Sequence, residues 1–234
     1  MDKTITKISL ILPVFNEAKT LTRVLKVAIK SSVDEILIVD DGSTDMSVGV
    51  AKSFASSKIR ILSNGSNLGA GASRAQGVRN SNSQILVFLD SDIKNPSVAT
   101  IEKLYEPIIK NRADFVIATF NNIGRVTELT AKPLLSVCFP ELSFLNQPIS
   151  GQFASKKEFI FPERMAEENT MLGVLLDAYL NKARLAEVNI GEIRHTKKEI
   201  SVKRKQAINA CRACVKRFLE SNSLKFVTQK LLET

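Results

Sequence analysis

Long apolar runs are missing from this sequence: no uninterrupted stretch approaches the roughly 18 residues that suggest a membrane span. Cysteine is scarce. Cys138, Cys211 and Cys214 cannot all pair internally, and nothing in their spacing suggests a disulfide framework. The CRAC segment at 211–214 has C-x-x-C spacing, but it lies inside a predicted helix without a second cysteine pair. Structural thiols on adjacent helical turns are therefore preferred to metal or redox chemistry. Aromatic residues make up only 6% of the chain, and no RNA or DNA motif is recognisable, which argues against a nucleic-acid binder. Internal repeats, low-complexity tracts and convincing linkers are also missing. The 234 residues are accordingly read as a single domain, 1–234, long enough to bury a sizeable core. MDKTITK leads straight into ISLILPVF, too short and strand-like for a signal peptide, so a cytoplasmic protein is expected.

What the chain does have is positive charge, +9 in all, which favours anionic partners such as nucleotides, phosphorylated metabolites or lipid head groups. Much of the excess lies in the last forty residues, at 197–198, 203–205 and 216–217. A solvated helical face is the plain reading of that stretch.

Short apolar strands alternate with amphipathic helices through the first half. KISLILPVF, EILIVD, KIRILS, ILVFLD and FVIAT read as strands, the first buried on both faces. EAKTLTRVLKVAIKS, GASRAQGVRNS and SVATIEKLYEPIIKN read as helices, and Ser43, Thr44 or Asp45 is expected to cap a further one after the second strand. This order predicts an α/β fold with a mostly parallel sheet covered by helices on both faces. In such sheets ligands gather beyond the carboxyl ends of the strands, so PVFNE, DDGSTD and DSD should open onto one edge. Beyond residue 120, TELTAKPLLSVCF and NTMLGVLLDAYLNK read as helices, GQFAS and LAEVNI as strands, and Ser201 to Leu232 as one long or two shorter helices.

The acids Asp90 and Asp92, with Ser91 between them, end a buried strand. Two carboxylates at that spacing can converge on a divalent cation, although acids also follow strands as turn formers or helix caps. Their company favours the cation. In PVFNE, residues Pro13, Val14, Phe15, Asn16 and Glu17, the proline rigidifies the strand exit while Asn16 and Glu17 offer groups to a ribose or base. Asp40 can accept the imino hydrogen of a pyrimidine, with Asp41 and Ser43 shaping the turn. Gly69 and Gly71 permit close backbone approach, and Arg74 follows on the first turns of a helix, an edge that suits a nucleotide diphosphate.

PVFNE, VDDGSTD, NLGAGASRAQG and FLDSD, in that order and spacing, resemble the family 2 type of glycosyltransferase with a GT-A fold. The resemblance implies a nucleotide-sugar-binding half at 1–119, an acceptor-binding half at 120–200 and basic C-terminal helices at 201–234. It also implies Mg²⁺ or Mn²⁺ held against the donor diphosphate by Asp90 and Asp92. A narrower resemblance, carried by NNIGRVTELTAKPLL, FPEL, QPISGQFAS, LLDAYL and AEVNIGEIRH, is to the glucosyl-3-phosphoglycerate synthase group. That likeness implies UDP-glucose as donor, with GDP and ADP sugars as alternatives, and a small phosphorylated acceptor. It further implies a homodimer, transfer with retention, and His195 as a third metal ligand. Gly124, Arg125 and Thr127 ahead of a helix are the implied acceptor seat, joined by Gly151 and Lys197; by their chemistry alone, Thr127 as a helix cap beside a solvated Arg125 is equally open. Asp92 and Arg74 are the expected catalytic groups, stabilising the departing diphosphate.

Three departures stand out. Ala70 occupies the position of the group's loop lysine, Lys197 that of an asparagine after the histidine, and Met171 that of an acidic residue. Two rival functions remain in view: a polyprenyl-phosphate sugar transferase making peripheral membrane contact through its basic helices, and a non-enzymatic nucleotide or nucleic-acid binding module.

Overall fold

Strands form where β-branched and long apolar residues cluster in short runs: β1 (Ile8–Val14), β2 (Glu35–Asp40), β3 (Ile59–Ser63), β4 (Ile85–Phe88), β5 (Phe115–Thr119), β6 (Phe153–Lys156) and β7 (Leu185–Asn189). The computed structural model describes residues 6–194 and 199–232, with side chains described as far as residue 222. The seven strands make one sheet in the order β3-β2-β1-β4-β6-β5-β7. All neighbours are parallel except β6, which runs antiparallel to both β4 and β5. The expected α/β architecture is therefore present, with one reversed strand set into its middle.

Helices α1 (Ala18–Ala28), α2 (Ser47–Lys52) and α4 (Val98–Ile109) cover one face of the sheet; α3 (Ala70–Asn80), α5 (Lys132–Cys138), α6 (Pro162–Glu168), α7 (Met171–Leu180) and α8 (Ile200–Leu232) cover the other. Side chains along a strand alternate between faces, so Leu10 and Leu12 join the first apolar layer and Ile11 the second. Both layers are fully shielded, and each buried aliphatic side chain contributes about 1.5–3 kcal/mol. Across β4, β6 and β5 the rings of Phe88, Phe153 and Phe115 form a column: Phe88 and Phe153 stack at 4.2 Å, Phe153 and Phe115 at 5.4 Å.

Several local expectations are corrected. The fourth strand ends at Phe88, before the acids. None of Ser43, Thr44 or Asp45 is the N-cap of α2; that position is Met46. Asp45 instead accepts from Ser47 N and from Ala18 N, joining the starts of α2 and α1. The predicted helix after residue 126 begins with a π turn at Thr127–Ala131, followed by α5. Pro133 has no N–H to give to that turn, which favours its wider winding. The C-terminal segment is one helix, and the short α6 was not legible in the sequence pattern.

Helix α8 docks through a buried charge network. Arg217 is fully buried and donates through Nε and one terminal nitrogen to both oxygens of Asp177 on α7, at 2.9 and 2.5 Å. Its other terminal nitrogen donates to Glu168 at the end of α6, at 2.6 Å. Nearby, Cys138, Cys211 and Cys214 are free thiols. Burial, reinforced by the neighbouring Cys138 thiol, pushes Cys214 up to about 12, which fits structural thiols.

Asp114, just before β5, ties together the starts of β5 and β7 and the end of the antiparallel β6. It accepts from Arg184 Nε at 2.7 Å and pairs with Lys156 at 2.7 Å. The Arg184 guanidinium, with Lys156 as a weaker partner, holds its carboxyl well below the usual value of 3.8. A depressed carboxylate contributes stability above its unfolded pKa and loses it as pH falls through the folded one. Asp114→Asn is therefore expected to lower the urea midpoint at pH 7, with the gap from the parent chain closing progressively as pH drops below about 4. Arg217→Ala should cost about 3–5 kcal/mol in the same assay, because two acids lose their buried partner.

Candidate active site

The donor side of the site lies where the sheet changes direction. From β1 the chain runs outward through β2 and β3, then returns to place β4 on the other flank of β1, leaving a crevice beyond the strand ends. A cavity of about 270 Å³ occupies this crevice, lined by Pro13, Val14, Phe15, Glu17, Asp41, Asn67, Gly69, Ala70, Ser73, Asp90, Ser91 and Asp92. The three motif segments do open onto one edge, as expected.

Asp90 is held from two sides. Arg74 of α3, almost fully buried, donates to Oδ1 at 2.7 Å, and Gln152 donates through Nε2 to Oδ2 at 2.8 Å. Gly151 presses its backbone against the same carboxylate: a Cβ there would lie 2.2 Å from Oδ2. Arg74 thus reaches Asp90 and is absent from the cavity lining. Ser91 Oγ donates to the Pro13 carbonyl at 2.8 Å, so it braces the strand exits against each other.

Asp92 is buried and faces the same cavity. Among the described residues no three potential ligands form a cluster; His195, the expected third, lies outside them, as does Lys197. Hard carboxylate oxygens from Asp90 and Asp92 on one cavity wall suit Mg²⁺ or Mn²⁺, which takes one or two protein carboxylates and fills its other positions from water and phosphate. The donor chemistry fits the cation.

Three further donor-side expectations change. Asp40 is buried and turned to the loop, where Oδ1 accepts from Ser43 N at 3.1 Å; its neighbour Asp41 lines the cavity. Adjacent residues of an extended chain face opposite sides, so only one of two consecutive acids can do so. Asp41 accepts from Asn64 Nδ2, Leu68 N and Gly69 N at 2.7, 3.0 and 2.8 Å, pinning the glycine loop. Asn16 does not line the cavity; held at φ +56°, its Oδ1 accepts from Thr44 N at 2.8 Å and latches the first two loops together. Gly71 is also set back, because it lets α6 approach: a Cβ would lie 2.4 Å from the Met165 carbonyl oxygen.

A second cavity of about 540 Å³ adjoins the first at Asp90. Gly124, Arg125, Thr127 and Gly151, the residues named above as an acceptor seat, line it. Thr127 is buried while Arg125 is exposed, and the N-cap is Val126, so Thr127 is not the cap. Opposite them stand Arg194, Lys203 and Gln206, the last two from α8. Sequence patterning missed Gln152, Asp41, Lys203 and Gln206. Only the basic run at 203–205 carried a signal, and it was read as a solvated face. Three cations, Arg125, Arg194 and Lys203, around one cavity attract a small multivalent anion.

The model of the family described as glycosyl transferase family 2 matches residues 9–169, which hold the whole donor cavity. A glucosyl-3-phosphoglycerate synthase of Mycolicibacterium smegmatis is 28% identical over 217 residues, covering 83% of this chain and 72% of the relative. Another from Petrotoga mobilis is 32% identical over 183 residues, covering 66% of this chain, which spans only 54% of that protein. The synthase of Mycobacterium tuberculosis, solved with Mn²⁺, uridine diphosphate and phosphoglyceric acid, superposes with a TM-score of 0.81 at 26% identity, covering 92% of this chain and 80% of that one. The sheet with its covering helices is thus the GT-A fold, and this chain belongs to glycosyl transferase family 2.

Proposed function

We propose that this glycosyltransferase moves a hexose, glucose in the first instance, from UDP-glucose to a small phosphorylated acceptor such as 3-phosphoglycerate, with retention at the anomeric carbon. The observation that carries this reading is the meeting of two cavities at one carboxylate. Asp90 borders both the crevice of the nucleotide-binding half and the cationic chamber beside it. The mycobacterial synthase, solved with UDP-glucose and glycerol 3-phosphate as well as with phosphoglyceric acid, supports the same substrate classes. The family likeness also implies a homodimer, and a cytoplasmic location is proposed from the strand-like character of the N-terminal segment.

Asp92 and Asp90, with His195 as the expected third ligand, would hold Mn²⁺ or Mg²⁺, which supplies Lewis-acid neutralisation of a diphosphate leaving group. The remaining work falls to the chain. Arg74 and Gln152 fix the plane of the Asp90 carboxylate before substrate arrives, so little reorganisation is needed during transfer. Ala70 lines the cavity at the start of α3, where helix N-terminal amides favour phosphate charge in place of the group's lysine. Arg125 and Lys203 draw the acceptor's anionic groups into the second cavity, and Gly151 lets the Asp90 carboxylate stand at the border between the two. None of the acids is proposed as a covalent nucleophile. The acceptor hydroxyl approaches from the side of the departing diphosphate, and positioning supplies most of the acceleration.

A matrix of nucleotide sugars against phosphorylated small acceptors, read by nucleotide release with Mn²⁺ or Mg²⁺, tests the reading. Turnover is expected with UDP-glucose and phosphoglycerate, and the product's anomeric proton should report retention by NMR. Transfer only to lipid phosphate in vesicles, or inversion, would overturn it. Asp92→Ala should lower kcat on the order of 10²–10³-fold, the size seen when one preorganised electrostatic partner is removed. Arg125→Ala should raise the acceptor KM about 10–100-fold, as loss of one charge-assisted hydrogen bond does, while the donor KM stays within about threefold.

A further inference from the structure

The glycine loop at the donor cavity has no side-chain cap of its own. Gly69 is the N-cap of α3 and has no side-chain oxygen to offer the N–H groups of the first turn. The Gly71 N–H is taken instead by Oδ1 of Asn169, 2.7 Å away and 98 residues later in the chain. Asn169 also presses on Gly69, where a Cβ would lie 2.8 Å from its Nδ2. One asparagine side chain therefore holds the loop from behind while Asp41 holds it from the front through the Leu68 and Gly69 N–H groups. Between these two clamps, Ala70 lines the donor cavity.

Asn169 is itself fixed. It sits at φ +48° and ψ +45°, the left-handed cap of α6, a conformation that asparagine and glycine tolerate and most residues do not. The preceding residue, Glu168, is bound to the fully buried Arg217 of α8 at 2.6 Å. A continuous set of contacts thus runs from α8 through Glu168 and Asn169 to the loop.

Resting on the donor reading above, we infer that Asn169 is a positioning residue for the nucleotide diphosphate. It sets the loop so that the Ala70 end of α3 meets the phosphates, and it makes donor affinity depend on the seating of the C-terminal helix. The sequence lacks a lysine at position 70, so backbone placement carries more of the phosphate recognition than a flexible cation could.

Two variants of the full chain separate this role from a merely structural one. Asn169→Gly deletes the side chain at a backbone conformation glycine adopts freely; Asn169→Asp keeps both the left-handed tolerance and the accepting oxygen. With Mn²⁺ present, isothermal titration with uridine diphosphate should show affinity falling about tenfold in Asn169→Gly, the scale of one lost hydrogen bond together with a loosened loop. Asn169→Asp should stay within about threefold of the parent, and the acceptor KM of both variants should not move. Equal affinity in Asn169→Gly and the parent chain, an equal loss in both variants, or an acceptor KM that rises with the donor's would overturn the inference while leaving the donor reading in place. Failure of the parent chain to bind uridine diphosphate with either cation would overturn both.

Discussion

The shared grip on Asp90 is the joint on which the site depends. Arg74 reaches it from α3, Gln152 from the residues just before β6, and each takes one oxygen. A carboxylate so bound cannot rotate without breaking a charge-assisted hydrogen bond, and such bonds are roughly twice as strong as neutral ones. The two cavities therefore keep a fixed relation to one another. Gly151 is part of the same constraint, since any side chain there would displace the acid. The reversed strand β6 exists, in functional terms, to bring this glycine and glutamine to the end of β4.

Much of the donor half was legible because its signals are local. Buried strands announce themselves as apolar runs, helices as periodic ones, and the acids follow directly from β4 in sequence. What escaped was non-local or conformational. Gln152 meets Asp90 across 62 residues, and Asn169 meets Gly71 across 98; no spacing rule links either pair. The exchange of Asp40 for Asp41 shows a finer limit. Composition identified an acid at the end of β2, but which of two neighbours faces the crevice depends on how the backbone leaves the strand. Gly71 illustrates the same point, since close approach was anticipated but the neighbour proved to be α6 rather than a ligand.

The basic C-terminal helix is solvated at Arg204, Lys205, Arg212 and Lys216, in keeping with its composition. Arg217 departs from that pattern as one of the most deeply buried side chains, and Lys203 lines the second cavity. A buried ion pair of this kind gives little net stability compared with apolar packing. It does fix where α8 lies, because each guanidinium nitrogen has an assigned partner on α6 or α7.

The column of Phe88, Phe153 and Phe115 has a bearing on how such a site changes over generations. A one-residue slide of β6 would turn Phe153 to the opposite face and pull the stack apart. Insertions ahead of β6 must therefore be absorbed on the loop side of Gln152 and leave the strand untouched. Change is thereby channelled into the walls of the second cavity, while the stack holds the spacing of glycine, amide and acid in register.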